Sequence, residues 1–276
     1  MEIPKNMFKR LFQEPFDSKS ETQNPKSFYG CWNGLVDTIA AEIIAGAGFD
    51  WILVDGEHAP FDLRTIQAQL QAMGQFGAPI LVRCPQGDTH LIKQYLDIGV
   101  QSLLVPMVET AEQAAALYQA MQYPPKGVRG VGTALARAAQ WNRVTNYFKT
   151  AGDEMCLIVQ VESVKGIENL ESIANTEGVD GVFIGPSDLA ASMGFLGQPD
   201  RIEVKTVVEN ALRTIRKAGK IAGVMVIGNK PLADHYAKCG ANMIAIAIDT
   251  LLLANASKQA ALTYTHFFES QSDTKY

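Results

Sequence analysis

Short runs of apolar residues, many of them β-branched, recur along the chain at fairly regular intervals. Between them lie longer stretches such as "THLIKQYLDIG" and "EVKTVVENALRTIRKAG", whose apolar residues are three or four positions apart and therefore predict amphipathic helices. The eight predicted strands are residues 28–33, 51–55, 79–84, 102–108, 156–162, 181–186, 222–227 and 243–248. Apolar strands that alternate with helices indicate a parallel sheet covered by helices, and eight units close a (β/α)8 TIM barrel.

The chain length fits a single domain of this type. With 276 residues the chain can bury one large core, as α/β barrels of this length do. We expect the barrel domain to span residues 28–268, with an N-terminal extension at 1–27 and a polar tail at 269–276. In the extension, "NMFKRLF" predicts a short helix that closes the bottom of the barrel, and the polar residues 13–26 predict a flexible insertion.

Composition and charge narrow the range of partners. The formal net charge of −5 arises from 24 basic and 29 acidic residues without a basic cluster, so the charge pattern of a nucleic-acid-binding protein is missing. No apolar run approaches the roughly 20 residues of a membrane span, and the N-terminus has the composition of neither a signal peptide nor a transit peptide. The four cysteines are far apart in apolar surroundings, which indicates buried free thiols. We therefore expect a cytoplasmic protein that binds small molecules.

One connection, residues 123–154, is much longer than the others. Long connections in compact domains are usually functional or disordered, and the prolines, glycines and Ala-rich run of this one favour an ordered active-site loop. Its "GVRGVG" string lacks the Gly-x-Gly-x-x-Gly spacing and does not directly follow a strand. A dinucleotide-binding site is therefore only weakly indicated.

Polar residues gather where several predicted strands end. They are Asp55, Glu57 and His58 after the second strand, Arg83 at the third, Gln160 and Glu162 at the fifth, and Asp188 after the sixth. The C-terminal strand ends of an α/β barrel build its active site, so these side chains should lie close together. In "LIVQVE" the two-residue period of a strand puts Gln160 and Glu162 on the face opposite the apolar residues. A single polar residue of this kind is usually a structural ion pair, but four strands that end in this way indicate a shared site.

Glu162 and Asp188 can converge on one cation, because neighbouring strands lie about 4.8 Å apart. Two carboxylates leave positions open for water and substrate oxygens, as sites of the Mg²⁺ type do. No His or Cys stands beside either residue to complete a closed zinc site. The alternative is a hydrogen-bonded pair of carboxyl groups without a metal.

His58 and Arg83 each allow two interpretations. An imidazole titrates near neutral pH, so His58 could be a general base or an ordinary loop residue. Arg83 is always charged and could hold a carboxylate or a developing oxyanion, or could pair with the acids nearby. No lysine lies inside a strand or directly at its C-terminal end, which disfavours a Schiff-base mechanism.

Six strings of this sequence resemble the HpcH/HpaI aldolases. They are "FDWILVDGEHAP", "LVRCP", "LLVPMVET", "YPPKGVRGVGTALARA", "IVQVES" and "GVDGVFIGPSDLAASMG", and the resemblance covers roughly residues 28–256. It implies a barrel of the phosphoenolpyruvate/pyruvate-binding type that reversibly cleaves a 4-hydroxy-2-oxo acid, most nearly 4-hydroxy-2-oxoheptanedioate, to pyruvate and an aldehyde. It also implies a divalent metal cofactor, Mg²⁺, Mn²⁺ or Co²⁺.

The resemblance assigns the substrate-binding roles as well. Glu162 and Asp188 would be the metal ligands, with Asp188 also close to the substrate. Gln160 and the backbone around Ser187 would hold the 2-oxo acid, and Arg83 would stabilise the enolate oxygen.

For proton transfer, the resemblance makes His58 the acid/base group and Asp97 the residue that tunes it. A base must remove the C4 hydroxyl proton directly or through a water molecule. Asp55 and Glu57 would support the site. The family also implies a homohexamer whose last helix, here residues 250–268, packs on the barrel of a neighbouring subunit.

The identity of the aldehyde stays open at this point. A dicarboxylic substrate needs a cation away from the metal, so we expect Arg129 or Arg137 to contact the aldehyde end. The alternative is that both arginines pair with acids and shape the long connection. Other possible functions are a 2-dehydro-3-deoxyglucarate-type sugar-acid aldolase, a citryl- or malyl-CoA lyase, for which no basic nucleotide-binding cluster is evident, and a non-enzymatic metabolite-binding barrel.

Overall fold

The computed structural model describes residues 1–13 and 26–264, and within them eight parallel strands form a closed barrel. The strands pair in chain order, and the eighth pairs with the first. They are β1 (Phe28–Asn33), β2 (Trp51–Asp55), β3 (Ile80–Arg83), β4 (Ser102–Val105), β5 (Cys156–Val161), β6 (Gly181–Ile184), β7 (Ile221–Met225) and β8 (Met243–Ile248). All eight lie where the sequence predicts them, so the (β/α)8 prediction is confirmed.

Helices connect and cover the strands. They are α1 (Met7–Leu11), α2 (Thr38–Ala45), α3 (Leu63–Met73), α4 (Thr89–Asp97), α5 (Ala111–Met121), α6 (Tyr147–Thr150), α7 (Val164–Glu168), α8 (Leu170–Ala174), α9 (Pro186–Ser192), α10 (Ile202–Lys217), α11 (Lys230–Lys238) and α12 (Asp249–Tyr264). Short 3-10 helices occur at Gly74–Phe76, Arg137–Ala139 and Ala151–Glu154. None of the described helices combines the length and the apolar character that a membrane span requires.

The pleat of the strands separates two cores. On β2, the side chains of Trp51 and Leu53 point into the barrel and pack with the other interior residues, whereas Ile52 and Val54 pack against the helices outside. The same alternation carries Asp55, the last residue of β2, into the interior. Interior positions at the C-terminal strand ends are therefore the places where polar side chains meet.

The loop between β2 and α3 ends at a well-formed helix start. The Asp62 carboxylate accepts a hydrogen bond from the Thr65 N–H at 2.7 Å, and the Asp62 N–H donates to the Thr65 hydroxyl at 2.8 Å. This reciprocal capping box satisfies amide groups that the first helical turn cannot satisfy by itself. It fixes the end of the loop that carries Glu57 and His58.

Helix α1 lies against the N-terminal ends of the strands and fills the bottom of the barrel interior. Phe8 is buried there and meets Trp51 edge to face, with ring centroids 6.3 Å apart. Asn6 caps the helix, and its side-chain amide donates to the Ser102 hydroxyl at 2.9 Å and to the Glu154 carbonyl oxygen at 2.8 Å. The extension therefore supplies part of the barrel core.

The long connection lies at the same end of the barrel. Residues 123–154 follow α5 and lead into β5, so they join a helix to a strand, and such connections lie opposite the active-site face. Their apolar side chains form a separate small cluster that includes Ile3 and Tyr147. The connection therefore lies away from the active-site face of its own chain, and a role as an active-site loop stays a prediction.

Two predictions at the chain ends lie largely outside the described residues. The flexible insertion was expected at residues 13–26, of which 14–25 are not described, and the polar tail was expected at 269–276. The domain limits at 27/28 and 268/269 remain predictions. The last helix is described up to Tyr264.

We expect Phe8→Ala to lower the free energy of unfolding by about 3 to 5 kcal/mol, the usual cost of deleting a buried phenyl ring. Urea unfolding followed by circular dichroism measures this loss. Met7→Ala is the matched control, since Met7 is exposed on the same helix. Equal midpoints for the two variants would show that α1 does not contribute to the barrel core.

Candidate active site

A cavity of about 470 Å³ opens at the C-terminal ends of the strands. Its lining includes six of the residues singled out in the sequence: Asp55, His58, Arg83, Gln160, Ser187 and Asp188. The remaining wall is largely apolar and contains Trp32, Ala59, Pro60, Phe183, Met225 and Ile248. The barrel thus brings these polar groups to one place.

The centre of the site is an ion pair between β2 and β3. The strand register places Asp55 beside Arg83, and the Arg83 Nε and Nη2 groups donate to the two Asp55 carboxylate oxygens at 2.8 and 2.6 Å. The Trp32 indole N–H also donates to Asp55 at 3.2 Å, and the Arg83 guanidinium lies over the Trp32 ring, 5.3 Å from its centroid. Although burial opposes its ionisation, the hydrogen bonds and charge of Arg83 hold the pKa of Asp55 below its usual value.

Asp55 also shapes the loop that follows β2. Its Oδ1 atom accepts hydrogen bonds from the backbone N–H groups of Glu57, at 3.1 Å, and His58, at 3.4 Å. The Glu57 carboxylate lies 2.8 Å from Arg83 Nη1, and the exposed His58 imidazole lies 3.8 Å from Glu57. The loop therefore presents His58 to the cavity from a backbone that is anchored on the central ion pair.

Glu162 is buried at the end of β5. Its Oε1 atom accepts a hydrogen bond from the Met107 N–H at 2.9 Å, and its Oε2 atom accepts one from the Gln160 side-chain amide. Met107 has a left-handed backbone conformation, with φ at 58°, which is costly for a residue other than glycine. The backbone is thus held in an unfavourable conformation at the point where it orients this carboxylate.

Asp188 lies in the first turn of α9, and Gly185 precedes that helix. A Cβ atom at Gly185 would lie 2.5 Å from Glu162 Oε2, so the absence of a side chain here leaves the space that this carboxylate occupies. The side-chain oxygen of Gln160 is buried and has no hydrogen-bond partner among the described residues. An unpaired acceptor beside two carboxylates fits a site that receives a cation.

The charges of the site also favour the binding of a cation. Burial raises the pKa of Glu162, and the nearby charges of Asp188 and Glu57 raise it further, against the hydrogen bonds from Gln160 and Met107. Burial likewise raises the pKa of Glu57, although the charge of Arg83 opposes this shift. A divalent cation would remove the mutual repulsion of these carboxylates, and the all-oxygen donor set suits a hard ion.

Three predicted residues do not reach the cavity within this chain. Asp97 ends α4, and its carboxylate accepts a hydrogen bond from Arg129 Nη2 at 2.8 Å instead of contacting His58. Arg129 is fully buried and stacks on Tyr123, with 4.5 Å from the guanidinium carbon to the ring centroid. Arg137 donates to the Ile98 carbonyl oxygen at 3.0 Å. For Arg129 the structure favours the alternative interpretation, in which the arginine shapes the connection, and the role of Asp97 as the residue that tunes His58 stays a prediction.

Two contributors to the site were missed in the sequence. Trp32 could have been predicted from the sequence, because the two-residue period of β1 places its side chain inside the barrel and it lies near the C-terminal end of that strand. Met107 contributes through its backbone amide, for which the residue type carries no signal. The role of each depends on contacts between strands that are distant in the chain.

Comparison with known proteins agrees with this geometry. Residues 29–256 match the family described as HpcH/HpaI aldolase/citrate lyase. The chain belongs to this family. The resemblance found in the sequence motifs is therefore confirmed, and the chain is an enzyme of the class that cleaves carbon–carbon bonds.

Individual members of the family support the assignment. A hydroxypyruvate/pyruvate aldolase of Deinococcus radiodurans is 57% identical over 85% of this chain and 84% of its own length. A 4-hydroxy-2-oxo-heptane-1,7-dioate aldolase of Salmonella paratyphi C is 48% identical over 85% of this chain and 89% of its own length. The crystal structure of a family protein from Burkholderia cenocepacia superposes with a TM-score of 0.85 at 35% identity, and the match covers 94% of this chain and 98% of that one.

We expect Gly185→Ala to weaken Mn²⁺ binding by about 10- to 100-fold, the usual cost of disturbing the surroundings of a metal ligand, because the added methyl group must displace the Glu162 carboxylate. Isothermal titration with Mn²⁺ measures the change. The matched control is Gly34→Ala, since Gly34 also lines the cavity but its Cβ would find ordinary contacts, the nearest at 3.5 Å. Equal affinities for the two variants would remove Glu162 from the metal site.

Proposed function

We propose that this chain is a divalent-metal-dependent pyruvate aldolase that reversibly cleaves a 4-hydroxy-2-oxo acid to pyruvate and an aldehyde. The observation that carries the proposal is the cavity itself, which Asp188, Arg83 and His58 line, with the buried Glu162 carboxylate near Asp188. Named relatives at 57% and 48% identity act in their own organisms as aldolases. The same arrangement suits hydroxypyruvate as a donor in place of pyruvate.

Glu162 and Asp188 would hold the cation, and Mg²⁺, Mn²⁺ and Co²⁺ all accept such oxygen ligands. When bound, the ion supplies a Lewis acid that draws electrons from the 2-oxo group and so favours the enolate over a carbanion. The unpaired side-chain oxygen of Gln160 would complete the polar wall around the 2-oxo acid. The amide groups at Ser187 have no acceptor within the first turn of α9 and would donate to the substrate carboxylate.

Arg83 is arranged to stabilise the enolate oxygen. A guanidinium has five N–H donors, of which one binds each Asp55 oxygen, and Arg83 Nη1 also lies 2.8 Å from Glu57 Oε2 as an ion pair. N–H groups that Asp55 does not bind are available to a substrate oxygen in the cavity. Since Asp55 fixes the guanidinium plane, these donors are already oriented before the negative charge develops on the oxygen.

His58 would carry the proton. Its imidazole is exposed to the cavity rather than enclosed in a buried ion pair, and its backbone is anchored on Asp55. In the cleavage direction it would take the C4 hydroxyl proton as the C3–C4 bond breaks, and in the addition direction it would return that proton to the new alkoxide. Glu57, 3.8 Å away, would stabilise the protonated imidazole.

The aldehyde is proposed to be small and uncharged. Arg83 is the one arginine or lysine in the described lining of the cavity, and its charge is already directed at Asp55 and Glu57. A second carboxylate at the far end of the substrate would thus lack a cationic partner within one chain. The same shortage disfavours a lyase for CoA thioesters, whose nucleotide needs several basic residues.

We also propose a homohexamer located in the cytoplasm. Leu251, Leu252 and Leu253 of α12 are exposed in the single chain, as expected for a helix that packs on a neighbouring subunit. Four free, buried cysteines suit a reducing compartment.

Removal of divalent metal should abolish cleavage of a 4-hydroxy-2-oxo acid, because the carboxylates would then repel the substrate carboxylate instead of binding it through a cation. The protein is treated with EDTA, dialysed and assayed for pyruvate release, before and after addition of Mg²⁺, Mn²⁺ or Co²⁺ and with a panel of aldehydes for the reverse reaction. Undiminished cleavage in the metal-free protein, together with a borohydride-trapped pyruvate adduct on a lysine, would overturn the proposal.

His58→Ala should lower the rate of aldol cleavage by about 10²- to 10⁴-fold, the usual contribution of a positioned proton-transfer group, while pyruvate binding persists. Steady-state kinetics gives the first quantity and calorimetric titration with pyruvate the second. Arg83→Ala should differ, since it removes a group that touches the substrate and so weakens pyruvate binding too. Parent-level cleavage by His58→Ala would exclude His58 as the base and leave Glu57 or Asp55 in that role.

A further inference from the structure

A second group of metal-ligating side chains lies outside the barrel, between α10 and α11. It consists of Glu209 on α10 with His235 and Cys239 at the end of α11. In the described part of the chain this is the one set of three or more His, Cys, Asp or Glu residues whose ligand atoms all lie within 4.8 Å of one another. None of the three lines the cavity at the strand ends.

The helix geometry explains why the three meet. His235 and Cys239 are four residues apart, so their side chains project from the same face of α11. That face packs beside α10, where Glu209 projects towards it. The arrangement is therefore built by two rigid helices rather than by a loop.

The distances match the edges of a tetrahedral site. His235 Nε2 lies 2.8 Å from Glu209 Oε1 and 3.8 Å from Cys239 Sγ. With zinc bonds of about 2.3 Å to sulfur and about 2.0 to 2.1 Å to nitrogen and oxygen, tetrahedral angles give edges of about 3.6 Å for N···S and about 3.3 Å for N···O. These two edges differ from the ideal by about 0.5 Å or less, and the third, from Glu209 oxygen to Cys239 Sγ, is within 4.8 Å, so the partly exposed Glu209 and His235 side chains can adjust to an ion.

A positive charge already occupies this place. Arg213 Nη2 lies 3.2 Å from Cys239 Sγ and 3.6 Å from Glu209 Oε2, and its Nη1 donates to the Asn210 side chain at 3.3 Å. The Arg213 side chain is 54% exposed, so it can turn into solvent at little cost. The guanidinium is thus a displaceable competitor for the same ligands.

We propose that Glu209, His235 and Cys239 form a second cation site, which takes a borderline-soft divalent ion of the Zn²⁺ type with water as the fourth ligand and links α10 to α11. Thiolate and imidazole ligands select Zn²⁺ or Co²⁺ over Mg²⁺, whereas the ligands proposed for the first metal site, Glu162 and Asp188, are oxygen ligands. The two sites therefore differ in ion preference. Because this second site joins two outer helices, its occupation raises thermal stability without changing turnover.

Cobalt titration of the full-length protein tests this inference. Thiolate ligation of Co²⁺ gives a near-ultraviolet charge-transfer band, and the cavity contains no thiolate, so the band reports this site alone even while the cavity binds metal. With the cavity saturated with Mg²⁺, we expect the band to saturate at one bound Co²⁺ per chain and to be bleached by Zn²⁺. With the cavity again saturated with Mg²⁺, Zn²⁺ should also raise the thermal unfolding midpoint of the parent protein more than that of His235→Ala.

Variants test whether the thiolate that binds Co²⁺ is that of Cys239 or of another cysteine. Cys239→Ser should abolish the band. Because Cys239 is buried and this variant could fold poorly, His235→Ala provides a second test at an exposed position, and it should weaken Co²⁺ binding at least tenfold. Arg213→Ala should strengthen binding severalfold, and Lys238→Ala, an exposed neighbour, is the matched control. The absence of a charge-transfer band at saturating Co²⁺, or a band that persists in both Cys239→Ser and His235→Ala, would overturn the proposal.

Discussion

Two parallel hydrogen bonds across neighbouring strands join Arg83 to Asp55, and the rest of the site is arranged around them. A buried guanidinium is costly to desolvate, and a partner with matching geometry offsets that cost. Once paired, Asp55 holds the backbone of the loop that carries His58 and receives the Trp32 indole N–H. The pair therefore fixes at the same time the two groups to which we assign the enolate oxygen and the proton, the Arg83 guanidinium and His58.

The carboxylates around Glu162 form a wall of negative charge. Burial raises the pKa of Glu162, and the nearby charges of Asp188 and Glu57 raise it further. Met107 and Gln160 direct hydrogen bonds to Glu162, but hydrogen bonds alone do not balance the charge. A wall of this kind gains most from a bound cation, which links the electrostatics of the site to the chemistry that we propose.

Much of this could be predicted from the sequence because the barrel repeats one simple rule. Alternation along "LIVQVE" placed Gln160 and Glu162 inside and their neighbours outside, and the closed sheet brought these positions to Asp55 and Arg83. Within one chain the long connection lies at the end of the barrel opposite the cavity, and the helical pattern "TAEQAAALYQAM" that immediately precedes it already indicates this position. The pairing of Asp97 with Arg129 and the backbone contribution of Met107 depend on packing between distant segments, which no local pattern encodes.

The helix beneath the barrel imposes an order on biosynthesis. Phe8 packs on Trp51, and Asn6 binds Ser102 and Glu154, so the binding site of this early segment is complete only after more than half of the chain has left the ribosome. Until then Phe8 has only part of its apolar surroundings, among them Phe12 and Trp51, and the interior of the growing barrel lacks its lower cover. Closure of the barrel bottom is therefore a late step of folding, although the segment responsible is made first.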